Sequence, residues 1–138
     1  MKNMSHSKML ACLAAIGVLT SGQAIAEERV LKVTNWAEYI GEETISNFES
    51  EYGIKVIYDT YDSAETIDAK LLAGNSGYDV VSHSGSMTAR LISAGIVAPL
   101  DMSKLDNVKN MDPAIMEQLA SEWDLGNQHF VPFMWGSH

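Results

Sequence analysis

The feature that most constrains this chain is an alternation of two periodicities. Short β-rich runs take turns with stretches whose apolar residues recur at helical spacing. Val30 to Thr34 reads as a first strand. Ile45, Phe48 and Tyr52 follow at helical spacing, with Gly53 as a stop, so the pattern predicts a helix over Glu42 to Tyr52. A second strand starts in Gly53 to Tyr58. Asp62 and Glu65 have capping-box spacing ahead of a helical face of Ala64, Ile67 and Leu71, ending near Gly74. Tyr78 to Val81 reads as a third, buried strand, followed by a helix facing inward through Met87, Leu91 and Ala94 and stopped by Gly95. Val97 to Leu100 reads as extended. Asp112-Pro113 is an N-cap with proline at the first helical position, opening a helix over Ala114 to Ala120, and His129 to Val131 reads as a further strand.

A β-α-β-α-β-α order predicts an α/β fold with a doubly wound, mainly parallel sheet and right-handed crossovers. Ligands of such sheets bind where loops leave the carboxyl ends of the strands. Those loops contain Trp36 to Tyr39, Asp59 to Asp62 and Ser82 to Ser86. In the first of them Glu38 stands between Trp36 and Tyr39. Aromatic faces beside an acid suit an organic cation, because the rings attract it and the carboxylate neutralises it.

Residues 1–26 read as an export signal. Lys2 and Lys8 make a basic start, Met9 to Thr20 are apolar, and Ala24-Ile25-Ala26 supplies a small-residue cleavage pattern before Glu27. The apolar run is too short for a stable membrane anchor. Cys12 stands early in that run, so the segment 27–138 has neither disulfide nor thiol chemistry. Loss of Lys2 and Lys8 moves the formal charge from −9 to −11. An acidic exported domain repels nucleic acid and anionic lipid and attracts cations, although acidity also serves solubility alone.

Two enzyme readings are weak. Ser82-His83-Ser84-Gly85-Ser86 invites a nucleophile, but the first glycine of a G-x-S-x-G elbow is missing. A base normally reaches its serine from elsewhere in the fold. His83 and His129 have no metal-ligand spacing, and phosphate-loop and dinucleotide glycine patterns are absent, so no cofactor or metal is expected.

Taken in order, the motifs resemble the start of the periplasmic polyamine-binding proteins of bacterial ABC importers. The matching residues are Asn35-Trp36-x-Glu38-Tyr39-Ile40, Gly53 to Asp59, Asp62-Ser63-x-Glu65-Thr66, Lys70 to Gly74 and Gly77 to Val81. They continue through Ala94 to Val97, Pro99 to Asp101, Ser103 to Leu105, Asp112-Pro113 and Val131 to Gly136. The resemblance implies a two-lobed periplasmic-binding-protein-like fold that closes on its ligand by hinge motion. It makes 27–138 the first lobe, truncated near the first inter-lobe crossover, in keeping with the apolar, aromatic stretch on which the chain stops.

By the same resemblance Trp36 packs on the methylene chain of putrescine or spermidine, Glu38 pairs with an ammonium group, and Tyr39 forms a second wall. Ser84 contacts the ligand from the loop after the third strand, and Ser86 stands where relatives place an aromatic or hydroxyl. Ala37 replaces a usual Ser or Thr and leaves only backbone contacts. Ser82-His83 stands where Val-Pro is usual, and a protonated His83 near the cleft would oppose a cation. Trp135 reads as hinge or cleft packing. The implied whole is a non-enzymatic, monomeric binding protein that delivers its ligand to an inner-membrane permease. The rival readings are a secreted hydrolase and a binder of another organic cation or an amino acid.

Overall fold

The computed structural model describes residues 29–136. The expected signal at 1–26, with Cys12, lies outside them. Three strands form one parallel sheet: β1 (Val30–Trp36), β2 (Lys55–Tyr61) and β3 (Val80–Val81), in the order β2-β1-β3. The four helices are α1 (Thr44–Tyr52), α2 (Ala64–Leu72), α3 (Gly85–Ser93) and α4 (Pro113–Glu122). Two short 3-10 turns, Met102–Lys104 and Asp106–Asn110, lead into α4.

Strand alternation decides what lies on each face. Leu31 and Val33 of β1, with Val56 and Tyr58 of β2, face Ile45 and Phe48 of α1. Trp36 and Tyr61 belong to the opposite face, where Tyr61, Ile67, Leu71, Met87 and Leu91 form the buried core with α2 and α3. Helices therefore cover both faces, as a doubly wound sheet requires. Of the helical spacings read from the sequence, Ile67 and Leu71 in α2 and Met87 and Leu91 in α3 are buried, whereas Ala94 falls beyond α3 and is exposed and no residue of α1 is buried.

Several boundaries differ from expectation. Strand β1 runs two residues further, because Asn35 and Trp36 pair with Thr60 and Tyr61 of β2. Asp59 to Tyr61 therefore belong to a strand, not a loop. Ser63, rather than Asp62, caps α2 by accepting the N–H of Thr66, and its hydroxyl donates to Glu65. Strand β3 shrinks to two residues, its approach fixed by Asp79, whose N–H donates to the Lys32 carbonyl while its carboxylate accepts the Lys32 N–H. His129 to Val131 does not form a strand, and the Val97 to Leu100 segment lies outside the sheet. Leu100 N–H donates to the Gln128 carbonyl as an isolated link between the two segments.

Two expected stops and starts hold. Gly53 ends α1 in the left-handed region, at φ 62°. Asp112 caps α4, accepting the N–H groups of Ala114 and Ile115. Among the described residues no helix is long and apolar enough to cross a membrane.

Candidate ligand site

The turn after β1 is held by a buried asparagine. Asn35 is 5% exposed. Its Oδ1 accepts the N–H of Trp36 at 2.8 Å and its Nδ2 donates to the Tyr39 carbonyl at 3.3 Å. Ala37 N–H donates to the Tyr61 carbonyl, and Tyr39 N–H to the Trp36 carbonyl. Glu38 sits at the apex with φ 65°, a left-handed conformation that disfavours a residue with a long side chain. Such an outlier persists only where its surroundings over-determine it, and outliers of this kind cluster at functional sites.

The consequence is that Glu38 and Tyr39 are presented outward. Both are exposed, and among the described residues the Glu38 carboxylate has no hydrogen bond or ion pair. The acid that stands between two aromatics in sequence therefore faces solvent. At Ala37 the N–H is already engaged by Tyr61, so the carbonyl is the backbone group left open.

Trp36 is half-buried. Its packed side meets Tyr61, with ring centroids 4.5 Å apart and tilted by 51°, and the edge of His83 at 6.4 Å. Tyr61 and His83 stack at 5.9 Å. These three rings form one block beneath the turn. Burial, then the Asp68 charge, push the Tyr61 phenol up to about 12. It therefore keeps its proton and donates to the Ser82 carbonyl.

The second loop enters beside the first, because Ser82 N–H donates to the Thr34 carbonyl of β1. Ser84 is the N-cap of α3, yet its side chain makes no capping bond. Its hydroxyl lies 3.5 Å from that of Ser86, and both residues are exposed. Gly85 between them is pressed by Trp123 from the end of α4: a Cβ there would meet the indole Cε3 at 2.1 Å. The loop is thus backed by one aromatic block on the sheet side and by an indole on the α4 side.

His83 does not stand free in the cleft. Its side chain is 2% exposed, with Nε2 2.7 Å from Asp68 Oδ1 of α2. Nδ1 accepts the backbone N–H of Ser84 at 2.7 Å. The hydrogen-bond network therefore assigns the proton to Nε2, which donates to Asp68. The order Asp68, His83, Ser84 resembles a hydrolytic triad, but the chemistry is wrong. The Ser84 hydroxyl is 3.3 Å from an Nδ1 already filled by the nearer backbone N–H, so no free base serves it.

The six residues singled out in the sequence lie at the carboxyl ends of β1 and β3: Trp36 is the last residue of β1, Ala37, Glu38 and Tyr39 form the turn after it, Ser84 caps α3 and Ser86 stands in its first turn. Asn35, Tyr61 and Asp68, which hold those loops in place, carried no sequence signal of that role. Trp135 is 72% exposed and packs into no cleft among the described residues. No group of three metal-ligating side chains occurs among the described residues either.

No family model matches the chain. Individual proteins do. It is 47% identical over 130 residues to the putrescine-binding periplasmic protein SpuD of Pseudomonas aeruginosa, a match covering 94% of this chain and 35% of that protein. It is 42% identical over 123 residues to the putrescine-binding periplasmic protein PotF of Escherichia coli, covering 89% and 33%. The crystal structure of the spermidine/putrescine ABC transporter substrate-binding protein PotD of Streptococcus pneumoniae superposes with a TM-score of 0.71 at 34% identity, over 79% of this chain and 33% of that one. The chain spans about a third of the length of the curated relatives it matches. Over about a third of their length, then, the chain is similar to the periplasmic putrescine- and spermidine-binding proteins.

Proposed function

We propose that this chain carries one wall of the ligand cleft of a periplasmic polyamine-binding protein, which hands its ligand to an inner-membrane ABC permease. The observation that carries the reading is Glu38: a carboxylate with no partner among the described residues, exposed on a left-handed backbone next to the half-buried Trp36. Its role is binding, not catalysis. The indole and the Tyr39 ring would lie along the methylene chain and Glu38 would take an ammonium group. The Ser84 and Ser86 hydroxyls would accept from the same ligand. Helix α3 turns its positive end toward Ser84, so an ammonium group that reaches these hydroxyls gains no charge compensation from the helix and needs it from Glu38. The names of the relatives support putrescine or spermidine over an amino acid.

Magnitudes explain why this is half a site. A charge-assisted hydrogen bond contributes about 1.5–3 kcal/mol, and a cation–π contact about 0.5–2 kcal/mol. Micromolar capture needs about 8 kcal/mol net of association costs. One acid and two rings on an open wall fall short, so the reading requires an opposing wall supplied by the rest of a longer protein.

The test is a calorimetric panel on the full-length protein with putrescine, spermidine, arginine and glutamine. Micromolar binding of one or both polyamines with no response to glutamine is expected. Binding of an amino acid without either polyamine would overturn the assignment.

A further inference from the structure

The most unusual group under the site is His83. It is a histidine, not a neutral apolar residue, that lies at the junction of every element holding the two loops. Its ring stacks on Tyr61 of β2 and meets Trp36 of β1 edge-on. Its Nε2 donates to Asp68 of α2. Its Nδ1 takes the backbone N–H of Ser84, the cap of α3. An imidazole is the one side chain that offers a donor and an acceptor on opposite sides of a flat ring, and here both are used.

We propose that His83 is a positioning residue of the ligand site, clamped by Asp68, which holds the Ser84 loop and the Trp36 ring in register and makes ligand capture sensitive to acid. The proposal rests on the polyamine-binding reading given above. The clamp exists only while Nδ1 is bare. Protonation places a hydrogen on Nδ1, so two donors then face each other, Nδ1–H and Ser84 N–H. The loop has to turn away, and the hydroxyl and indole that flank it lose their positions.

The sign is fixed by the groups around the ring. From α2, the Asp68 carboxylate favours the imidazolium, as does the π-face of Tyr61 from β2. From α3, the Ser84 N–H opposes it, and β1 contributes the uncharged Trp36. A cationic ligand over Trp36 adds a second opposing charge. Ligand binding and His83 protonation therefore exclude one another in part, and by linkage affinity falls as pH falls through the imidazole range.

Two isosteres separate the clamp from mere packing. In His83→Asn the side-chain carbonyl stands in for Nδ1 and keeps an acceptor for Ser84 N–H, but loses Asp68. In His83→Gln the side-chain amide reaches Asp68 but leaves Ser84 N–H unpaired. Putrescine titrations of the full-length wild type and both variants, with melting temperatures alongside, are expected to split. At pH 8 His83→Gln binds about five-fold or more weakly, the size of one lost hydrogen bond, while His83→Asn stays nearer the wild type. Between about pH 8 and pH 5.5, above the range where ordinary carboxylates titrate, the wild type weakens and His83→Asn does not follow it. His129 is present in all three proteins and cancels from the comparison.

Equal weakening of both variants in step with their melting temperatures would reduce His83 to a packing residue. A wild-type pH profile parallel to that of His83→Asn would remove the acid sensitivity. The nitrogen shifts of the His83 imidazole at pH 8, read by NMR without ligand, must show the proton on Nε2; a proton on Nδ1 overturns the clamp. If the wild type bound no polyamine, the functional reading would fail, while the nitrogen shifts would still decide whether the clamp exists.

Discussion

The two faces of the sheet are built to different standards. On the α2/α3 face Leu71 and Leu91 are each 2% exposed, and the rings of Trp36, Tyr61 and His83 close the layer beneath the candidate site. On the α1 face no helical residue is buried, and a groove of about 140 Å³ remains among Leu31, Val33, Ile40, Ile45, Phe48, Val56 and Tyr58. The Tyr58 hydroxyl on that face is buried without a partner among the described residues. The tight face lies under the candidate loops and the loose one does not. A site of the proposed kind needs such packing, because its side chains must be held within a fraction of an ångström of a ligand.

The sharpest way to break this contrast is to truncate one residue on each face. Leu91→Ala should cost about 2–5 kcal/mol in urea unfolding of the full-length protein, since a fully enclosed side chain leaves a cavity. Ile45→Ala, half-buried beside an existing groove, should cost about 1 kcal/mol. Equal losses would mean that the faces are equally packed.

Next in size is the back of the Ser84 loop. Gly85→Ala forces a methyl group into the Trp123 ring and should cost about 1–3 kcal/mol, with weaker ligand binding beyond what the lost stability explains. Loss of stability with unaltered affinity would uncouple α4 from the site.

A buried carboxylate behind α4 offers a pH test of the same region. Asp124 is 1% exposed. Burial pushes its carboxyl up. The N–H groups of His129 and Phe130 and the His129 ring outweigh that and hold it below the usual range. A carboxyl lowered in the folded state adds stability above its unfolded value, and that stability is lost as pH falls through the lowered folded value. Asp124→Asn should therefore cost about 1–3 kcal/mol at pH 7, with the gap to wild type closing in acid. A gap independent of pH would show that the charge contributes nothing.

The smallest effect should run in the opposite direction. Glu38→Gly relieves the left-handed strain and should raise stability by up to about 1 kcal/mol while weakening ligand binding. A variant that lost both would show that Glu38 supports the fold.

Much of the architecture was legible because it is local. The spacings Ile67–Leu71 and Met87–Leu91, the Gly53 stop and the Asp112-Pro113 cap each act within one or two turns of chain. The end of β2 was not legible. Asp59 and Thr60 have turn composition, and only pairing with Asn35 and Trp36 makes them strand. The six candidate residues stand at or just after the ends of β1 and β3, two neighbouring strands. Their supports were hidden because they depend on distance in space. Asp68 meets His83 across 15 residues of sequence, and Tyr61 reaches Ser82 across 21. The partner of His83 was hidden for the same reason: nothing in Ser82-His83-Ser84 announces a carboxylate arriving from α2.

The most direct test is the contribution of Glu38 to capture. Putrescine is titrated calorimetrically into full-length wild type and Glu38→Gln at pH 7.5, with equal folding confirmed by melting temperature. The expected result is a loss of about ten-fold or more in affinity, the size of one charge-assisted hydrogen bond. Unchanged affinity in Glu38→Gln would contradict the assignment of this loop as the cation-binding wall.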